Sequence, residues 1–236
     1  MVRNRGKHPN DDRLFGTKWL PIFKEALDDL CYLLTREYGE KSATQLVGNR
    51  YRLNSRQQKA LMRMSGNLSA IEKRQAKQLT VEQLENQTIA IDGFNLLILL
   101  ESALSGAFIF KGKDGTYRDI SSVHGSYKRV IQTEEAMLVV GETLKKFKVK
   151  HVHWYFDAPV SNSGRLKVIL HGIAEKYGYS WDITLDNNPD KVLAECKEVV
   201  VSSDSWILDE TERWFNLGKY LLENEVEEAV IFDPYQ

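Results

Sequence analysis

Apolar residues in the first part of the chain recur three and four positions apart, the spacing of helices with one buried face. This pattern predicts helices at residues 19–38, 41–47 and 56–64, with a weaker signal at 81–86. No alternating, strand-like run occurs before residue 88. We therefore expect residues 1–87 to form a small all-helical domain.

The pattern changes at residue 88, where short β-branched runs begin to alternate with helical periods. Strands are predicted at residues 88–92, 151–157, 180–185, 199–204 and 229–232. Helices are predicted at residues 94–104, 126–147, 166–177, 188–196 and 206–222. The turn dipeptide Asp114-Gly115 predicts a hairpin over residues 108–120. Strands that alternate with helices favour a doubly wound, mostly parallel sheet over residues 88–236.

Charge divides at the same boundary. The whole chain of 236 residues has a net charge of −1, but residues 1–87 hold 16 Lys and Arg against 10 Asp and Glu. That is a net +6 and leaves −7 for the remainder. The basic part is suited to a phosphate backbone and the acidic part to divalent cations.

Composition excludes several classes of protein. Hydrophobic residues make up 42% of the chain and there are 5 prolines, which argues against disorder. The longest apolar runs are too short to span a membrane, and the first residues carry no apolar core of a secretory signal. Two distant cysteines cannot form a disulfide framework. We expect a cytoplasmic protein with no membrane segment.

Cationic residues cluster on and around the third predicted helix. Arg56, Lys59 and Arg63 are three and four residues apart, so they share one helical face that could follow a phosphate track. Arg52 precedes them, and Tyr51 could stack on a base. The alternative is an ordinary solvated face, since charged helix faces are the norm.

Aspartates close four of the predicted strands: Asp92, Asp157, Asp186 and Asp204. The carboxyl ends of parallel strands meet at one edge of a sheet, where ligands bind. Carboxylates gathered there repel one another unless a cation lies between them, and oxygen-only ligands suit Mg²⁺ or Mn²⁺. Asp186 could instead accept a hydrogen bond within an Asx turn.

Other chemistries have less support. His151 and His153 share one face of a strand, and we expect them to be packed or exposed rather than metal-bound. The sequence has no dinucleotide fingerprint, phosphate-binding loop or nucleophile elbow. A phosphatase with an aspartyl nucleophile needs a second aspartate two positions after the first, and Phe94 stands there instead.

Four short motifs resemble those of PIN-like nucleases, particularly the NYN branch. In chain order they are Ile-Ala-Ile-Asp92-Gly-Phe-Asn95, Trp-Tyr-Phe-Asp157-Ala-Pro, Asp190-Lys-Val-Leu and Ser202-Ser203-Asp204-Ser205. The resemblance covers residues 88–236. The whole chain is also similar to a group of uncharacterised, largely archaeal proteins that join a helical N-terminal domain to such a module.

The resemblance implies a three-layer α/β/α sandwich that binds Mg²⁺ or Mn²⁺ and hydrolyses RNA. It implies metal ligands at Asp92, Asp190, Asp204 and, as a fourth, Asp157. Asn95 and Ser203 would orient ligands or water. The chain departs from the family in the predicted hairpin, an insertion, and in its middle-helix glutamate, for which Glu134 and Glu135 are both candidates.

Several of these residues also have simpler interpretations. Asp190 follows Asn188-Pro189 and could be a favourable acid in a first helical turn. Arg165 and Lys167 could hold a scissile phosphate or could be ordinary charges at a helix start.

Two functions follow from these observations. The first is a metal-dependent ribonuclease whose acidic edge cuts structured or single-stranded RNA. The second is a catalytically inactive PIN-like module that binds RNA or associates with the ribosome. The sequence leaves open the RNA, endonucleolytic or exonucleolytic cleavage, and the oligomeric state, including a homodimer.

Overall fold

The computed structural model describes residues 5–121 and 127–236. Within these residues the helices α1 to α11 are Asp11–Phe15, Leu20–Thr35, Glu40–Arg50, Ser55–Met64, Leu68–Ala76, Gly93–Leu104, Gln132–Lys146, Ser163–Tyr177, Pro189–Glu195, Ser205–Glu210 and Leu217–Asn224. The strands β1 to β7 are Thr88–Asp92, Phe108–Lys111, Tyr117–Arg118, His151–Asp157, Trp181–Asp186, Val199–Val201 and Val230–Phe232. No helix of the described chain is long and apolar enough to cross a membrane.

The N-terminal region is helical, as predicted, and its three principal helices are α2, α3 and α4. Asn54 caps α4 through a reciprocal pair of bonds with Gln57, which satisfies amide groups that the first turn would otherwise leave unpaired. Helix α5 was not predicted, because it buries only Ile71 and Arg74 and so lacks a continuous apolar face. The weak signal at residues 81–86 corresponds to a 3₁₀ turn at Val81–Leu84.

Four strands form the main sheet, in the order β5-β4-β1-β6, and all neighbours are parallel. Side chains on both faces of β1 are buried: Ile89 and Ile91 pack into the core that contains α6, α7 and α8. Ala90 packs on the other face with Leu193 of α9 and Ile207 of α10. The predicted α/β fold with a parallel sheet is therefore correct.

The last predicted strand does not extend this sheet. Strand β7 pairs in parallel with β2, and the predicted hairpin adds β3, so the second sheet has the order β3-β2-β7. Phe110 and Phe232 of this sheet belong to the same core as Phe23 and Leu61 of the helical region. Because they share this core, the helical region and the second sheet pack as one body.

Two predicted helices differ most from the bounds in the structure. The prediction at residues 206–222 is wrong between α10 and α11, where an extended segment bridges Val200 and Gln78. Trp214 is fully buried there and donates from Nε1 to the Arg74 carbonyl at 2.7 Å. The helix predicted at 126–147 begins at Gln132, and its predicted first residue lies outside the described residues.

Candidate active site

Four aspartates line one cavity of about 400 Å³ beyond the carboxyl ends of the parallel strands. Asp92 ends β1, Asp157 ends β4, Asp204 follows β6, and Asp190 lies in the first turn of α9. Because β1 lies between β4 and β6, Asp92 stands near the middle of this edge. The structure thus brings together four of the five aspartates that the sequence analysis assigned to a metal site.

Asp92 caps a helix, and its surroundings disfavour its negative charge. Its Oδ1 accepts a hydrogen bond from the Asn95 amide at 3.4 Å, which caps α6, and its Oδ2 accepts one from Ser202 Oγ at 2.8 Å. Burial raises the pKa of Asp92 to about 7, and the charges of Asp190 and Asp204 add to this against the hydrogen bonds. The carboxylate form is therefore disfavoured unless a cation lies nearby.

Ser202 links two of these aspartates. The Asp204 amide donates to Ser202 Oγ at 2.9 Å, and that hydroxyl donates onward to Asp92. Asp204 Oδ1 also caps α10, accepting from the amides of Trp206 at 2.9 Å and Ile207 at 3.3 Å. The sequence analysis gave Ser202 no role. Its place two residues before an aspartate that follows a strand was the available signal.

Asn95 and Ser203, predicted to orient ligands, are hydrogen-bonded to each other. The Ser203 amide and Oγ both donate to Asn95 Oδ1, at 3.0 and 2.8 Å. These bonds fix the segment after β6 against the first turn of α6. Both side chains also line the cavity.

The remaining predicted acids separate into two groups. Burial raises the pKa of Asp157, and burial together with the charges of Asp204 and Asp157 raises that of Asp190. Asp186 differs: its Oδ1 accepts from the Asn188 amide at 2.8 Å, the Asx turn that the sequence left as an alternative. Among the described residues, Asp186 is not part of the cavity lining.

Two arginines and a fifth aspartate complete the cavity wall. Arg63 comes from α4, and Arg118 and Asp119 come from the end of the hairpin. Burial raises the pKa of Asp119, and the positive charge of Arg63 opposes that increase. Arg118 and Asp119 are not among the predicted site residues, because the sequence does not show that the hairpin folds against the sheet edge.

The cations of the predicted phosphate track on α4 have different surroundings in the structure. Arg56 binds the buried carboxylate of Asp11, with Nε–Oδ1 at 2.6 Å and Nη2–Oδ2 at 2.8 Å. Burial and the neighbouring arginines lower the pKa of Lys59. Arg52 is exposed. Of these α4 cations, the described cavity lining includes Arg63 alone.

The other candidates lie away from the aspartates. Arg165 lines a second cavity of about 300 Å³ with Lys128 and Arg129. Lys167 is half-buried on α8. Glu134 lies 3.6 Å from Arg129, and Glu135 lines a third, acidic cavity. Neither glutamate belongs to the described lining of the aspartate cavity.

The donor set of the cavity fits a hard divalent cation. Its carboxylates come from Asp92, Asp157, Asp190 and Asp204, with Asp119 on the same wall, so the available ligands are oxygens, as Mg²⁺ and Mn²⁺ prefer. Burial is the largest cause of the raised pKa values of Asp92 and Asp190, and the negative charges of neighbouring aspartates add to it. A cation among them would supply a compensating positive charge.

Comparisons with known proteins give relatives without a described activity. A family model described as "Domain of unknown function (DUF5616)" matches residues 81–220, and one described as "Protein of unknown function (DUF434)" matches residues 22–77. Over 185 residues the chain is 32% identical to "Uncharacterized protein MJ0935" of Methanocaldococcus jannaschii, covering 78% of this chain and 88% of that relative. No solved structure matches the chain.

Proposed function

We propose that this chain, which belongs to the family described as a domain of unknown function (DUF5616), is a metal-dependent ribonuclease that hydrolyses RNA phosphodiester bonds. The observation that carries the proposal is the convergence of Asp92, Asp157, Asp190 and Asp204 in one cavity. The motif resemblance to PIN-like, NYN-type nucleases supports it, and with it the finer assignment of the fold as a PIN-like α/β/α sandwich.

The four aspartates would hold Mg²⁺ or Mn²⁺. When bound, such an ion polarises a phosphoryl oxygen and lowers the pKa of an attacking water. The protein's own contribution is to fix the carboxylates. Ser202 holds Asp92 and the Asp204 backbone together, and the pair formed by Asn95 and Ser203 holds the following segment. Such supports keep ligands in position and tune their affinity for metal.

Arg63 is the residue best placed to bind the substrate phosphate. Within residues 5–121 and 127–236, its Nε is buried without a hydrogen-bond partner, and the side chain lines the aspartate cavity. A guanidinium in the wall of this cavity is suited to a phosphodiester oxygen. Arg63 therefore brings the basic helical region to the acidic sheet edge.

Arg118 has a different role, although it lines the same cavity. Its Nη1 and Nη2 bind both oxygens of Asp114, at 3.0 and 2.6 Å, and its Nε donates to the Ser203 carbonyl at 2.8 Å. A guanidinium with these bonds has fewer donors left for a substrate. Arg118 positions the Ser203 segment.

The test is cleavage of end-labelled RNA by the purified chain with Mn²⁺ or Mg²⁺. We expect products that depend on the metal and disappear with a chelator. Asp204→Asn should lower the rate by about 100-fold or more, because it removes a ligand charge while asparagine still caps α10.

Two controls separate the enzyme from its alternative. RNA binding by Asp204→Asn, measured by fluorescence anisotropy, should remain, and its circular dichroism should match that of the wild type. If the wild type binds RNA but cuts neither single-stranded nor structured RNA with either metal, the ribonuclease proposal is wrong. The inactive RNA-binding or ribosome-associated module would then be the correct function.

A further inference from the structure

A second cluster of potential metal ligands lies at the other end of β4, where His151, His153 and Asp182 meet. One ligand atom from each lies within 4.8 Å of the others. Asp182 Oδ2 is 3.1 Å from His151 Nε2 and 3.6 Å from His153 Nε2. The sequence predicts packed or exposed histidines here and no metal site. The signal for the cluster is their separation by two residues on a strand, which places both rings on one face.

The register of the strands makes this cluster. His153 on β4 lies directly beside Asp182 on β5, and on its other side it lies beside Ala90 on β1. A side chain as small as that of Ala90 leaves room for the His153 ring to reach Glu198, just before β6. The cluster therefore depends on three segments of the main sheet.

Each imidazole has a polar partner on its second nitrogen. His153 Nδ1 lies 2.8 Å from Glu198 Oε1, and His151 Nδ1 lies 2.7 Å from Ser180 Oγ. A carboxylate only accepts hydrogen bonds, so Glu198 holds a proton on Nδ1 of His153 and leaves the Nε2 lone pair free. In many metal-binding histidines a carboxylate fixes the tautomer as Glu198 does for His153, whereas the Ser180 hydroxyl, which can donate or accept, orients the His151 ring without fixing its tautomer.

The free ends of these groups converge on one point. With Nδ1 protonated on both rings, two Nε2 lone pairs face the Asp182 carboxylate, which has no proton to donate. In that tautomeric state a cation would join all three groups; without one, His151 can carry its proton on Nε2 and donate it to Asp182, while Ser180 Oγ donates to Nδ1. Ligands of a tetrahedral Zn²⁺ at about 2.0–2.1 Å lie about 3.3–3.4 Å from one another. The separations of 3.1 and 3.6 Å are on either side of that value.

We propose that His151, His153 and Asp182 form a Zn²⁺ site separate from the aspartate cavity. Imidazole nitrogens favour zinc over magnesium or manganese, and three protein ligands leave a fourth position for water. His153 and Asp157 are four residues apart on β4, or about 13 Å at the rise of a strand. A metal here would cross-link the edge strand β5 to β4.

The experiment measures zinc bound per chain after dialysis, together with the visible spectrum of the Co²⁺-substituted protein. We expect one tightly held zinc per wild-type chain, and cobalt bands of a four-coordinate site. Asp182→Asn and His153→Gln should each weaken zinc binding about 100-fold or more. Glu198→Gln should weaken zinc binding about 10-fold to 100-fold, because the carboxylate that fixes the proton on Nδ1 of His153 is lost.

The controls locate the zinc. His171→Gln changes an exposed histidine on α8 and should bind zinc as the wild type does. Asp92→Asn removes a carboxylate of the other site and should also keep its tight zinc. Asp182 is 67% exposed, so its substitution should leave the fold intact, as judged by circular dichroism.

Two results would overturn the proposal. One is a wild-type chain that binds no zinc above the level of the double variant His153→Gln/Asp182→Asn, which would mean that protons alone satisfy the cluster. The other is zinc lost in Asp92→Asn and retained in His153→Gln, which would place the metal among the aspartates. Both readouts are independent of RNA cleavage.

Discussion

Asp92 and Asp114 are two aspartates of one fold with opposite electrostatic surroundings. Burial disfavours the charged form of both. At Asp114 the Arg118 guanidinium and the Thr116 donors reverse this effect, so its pKa lies well below the usual value. At Asp92 the charges of Asp190 and Asp204 add to the effect of burial, and its pKa rises to about 7.

The difference separates a structural acid from a functional one. Asp114 also binds Arg74, with Nη1–Oδ2 at 3.1 Å, and Arg74 binds Asp209 on α10. This network ties α5 to the hairpin and to α10, and its charges are balanced within the protein. The charges around Asp92 are unbalanced. An acidic cluster that the fold leaves uncompensated is the kind of site that binds a cation.

The largest expected effect is on catalysis by the acids that line the cavity. Asp157→Asn and Asp190→Asn should each lower RNA cleavage by about 100-fold or more, because each removes a ligand charge. Asp186→Asn is the matched control: it keeps an Asx turn and should leave the rate within about twofold. Initial rates with Mn²⁺ measure all three. Equal losses in all three variants would contradict the geometry.

Breaking the balanced network should reduce stability instead. Asp114→Asn leaves Arg118 buried without its partner charge, which costs about 3 kcal/mol of the free energy of unfolding. Asp28→Asn is a suitable control, because Asp28 is exposed and its bond to Lys113 is a surface ion pair worth under about 1 kcal/mol. Urea denaturation measures both. If Asp114→Asn unfolds at the wild-type midpoint, the network has no structural role.

Substrate binding should respond to Arg63 more than to Arg52. Arg63→Gln should weaken RNA binding about tenfold, and the slope of log affinity against log salt should fall by about one. Arg52→Gln, an exposed cation of the same region, should change binding less than threefold. Fluorescence anisotropy over a salt series gives both quantities. A larger loss of affinity for Arg52→Gln would show that the RNA binds outside the cavity.

The smallest effect concerns pH and the metal-free protein. An aspartate has a pKa near 3.9 when unfolded, and that of Asp92 is about 7 when folded. The folded state therefore binds more protons between these values, and metal-free stability falls as pH rises from about 4 to 7. Asp92→Asn should remove part of this fall, a change of a few degrees in Tm at pH 7.5. Asp114 has the opposite sign, and its contribution is lost in acid.

Thermal melts at pH 5.0 and 7.5, with a chelator and with Mn²⁺, check the sign. Mn²⁺ should raise the wild-type Tm at pH 7.5 and have little effect on Asp92→Asn. A metal-free wild type that melts equally or higher at pH 7.5, with Asp92→Asn following the same profile, would show that Asp92 carries no electrostatic penalty.

The acidic edge could be predicted from the sequence alone, because an aspartate directly after a strand can be recognised from neighbouring residues. An aspartate after each buried strand must lie near the others once the strands are parallel, so Asp92, Asp157 and Asp204 could be placed together. Asp190 needed the motif resemblance. The long-range partners could not be predicted. Arg63 reaches the cavity because the helical region packs on the second sheet, and no periodicity in α4 encodes that docking.

Local ambiguity accounts for the remaining differences. The stretch around Trp214 has the apolar content of a helix, but its backbone pairs with Val200. β6 is an edge strand of the main sheet, so its free side offers backbone groups for this pairing. Arg56 and Arg63 share a helical face in the sequence, yet one meets Asp11 and the other lines the cavity.

The most direct test of the proposed function is single-turnover cleavage of labelled RNA by the wild type and Asp92→Asn, with Mn²⁺ and equal bound RNA. We predict metal-dependent cleavage by the wild type and a rate at least about 100-fold lower for the variant. The variant should retain its fold and its RNA binding. Cleavage that persists unchanged in Asp92→Asn, or wild-type protein that never cuts, would contradict the account.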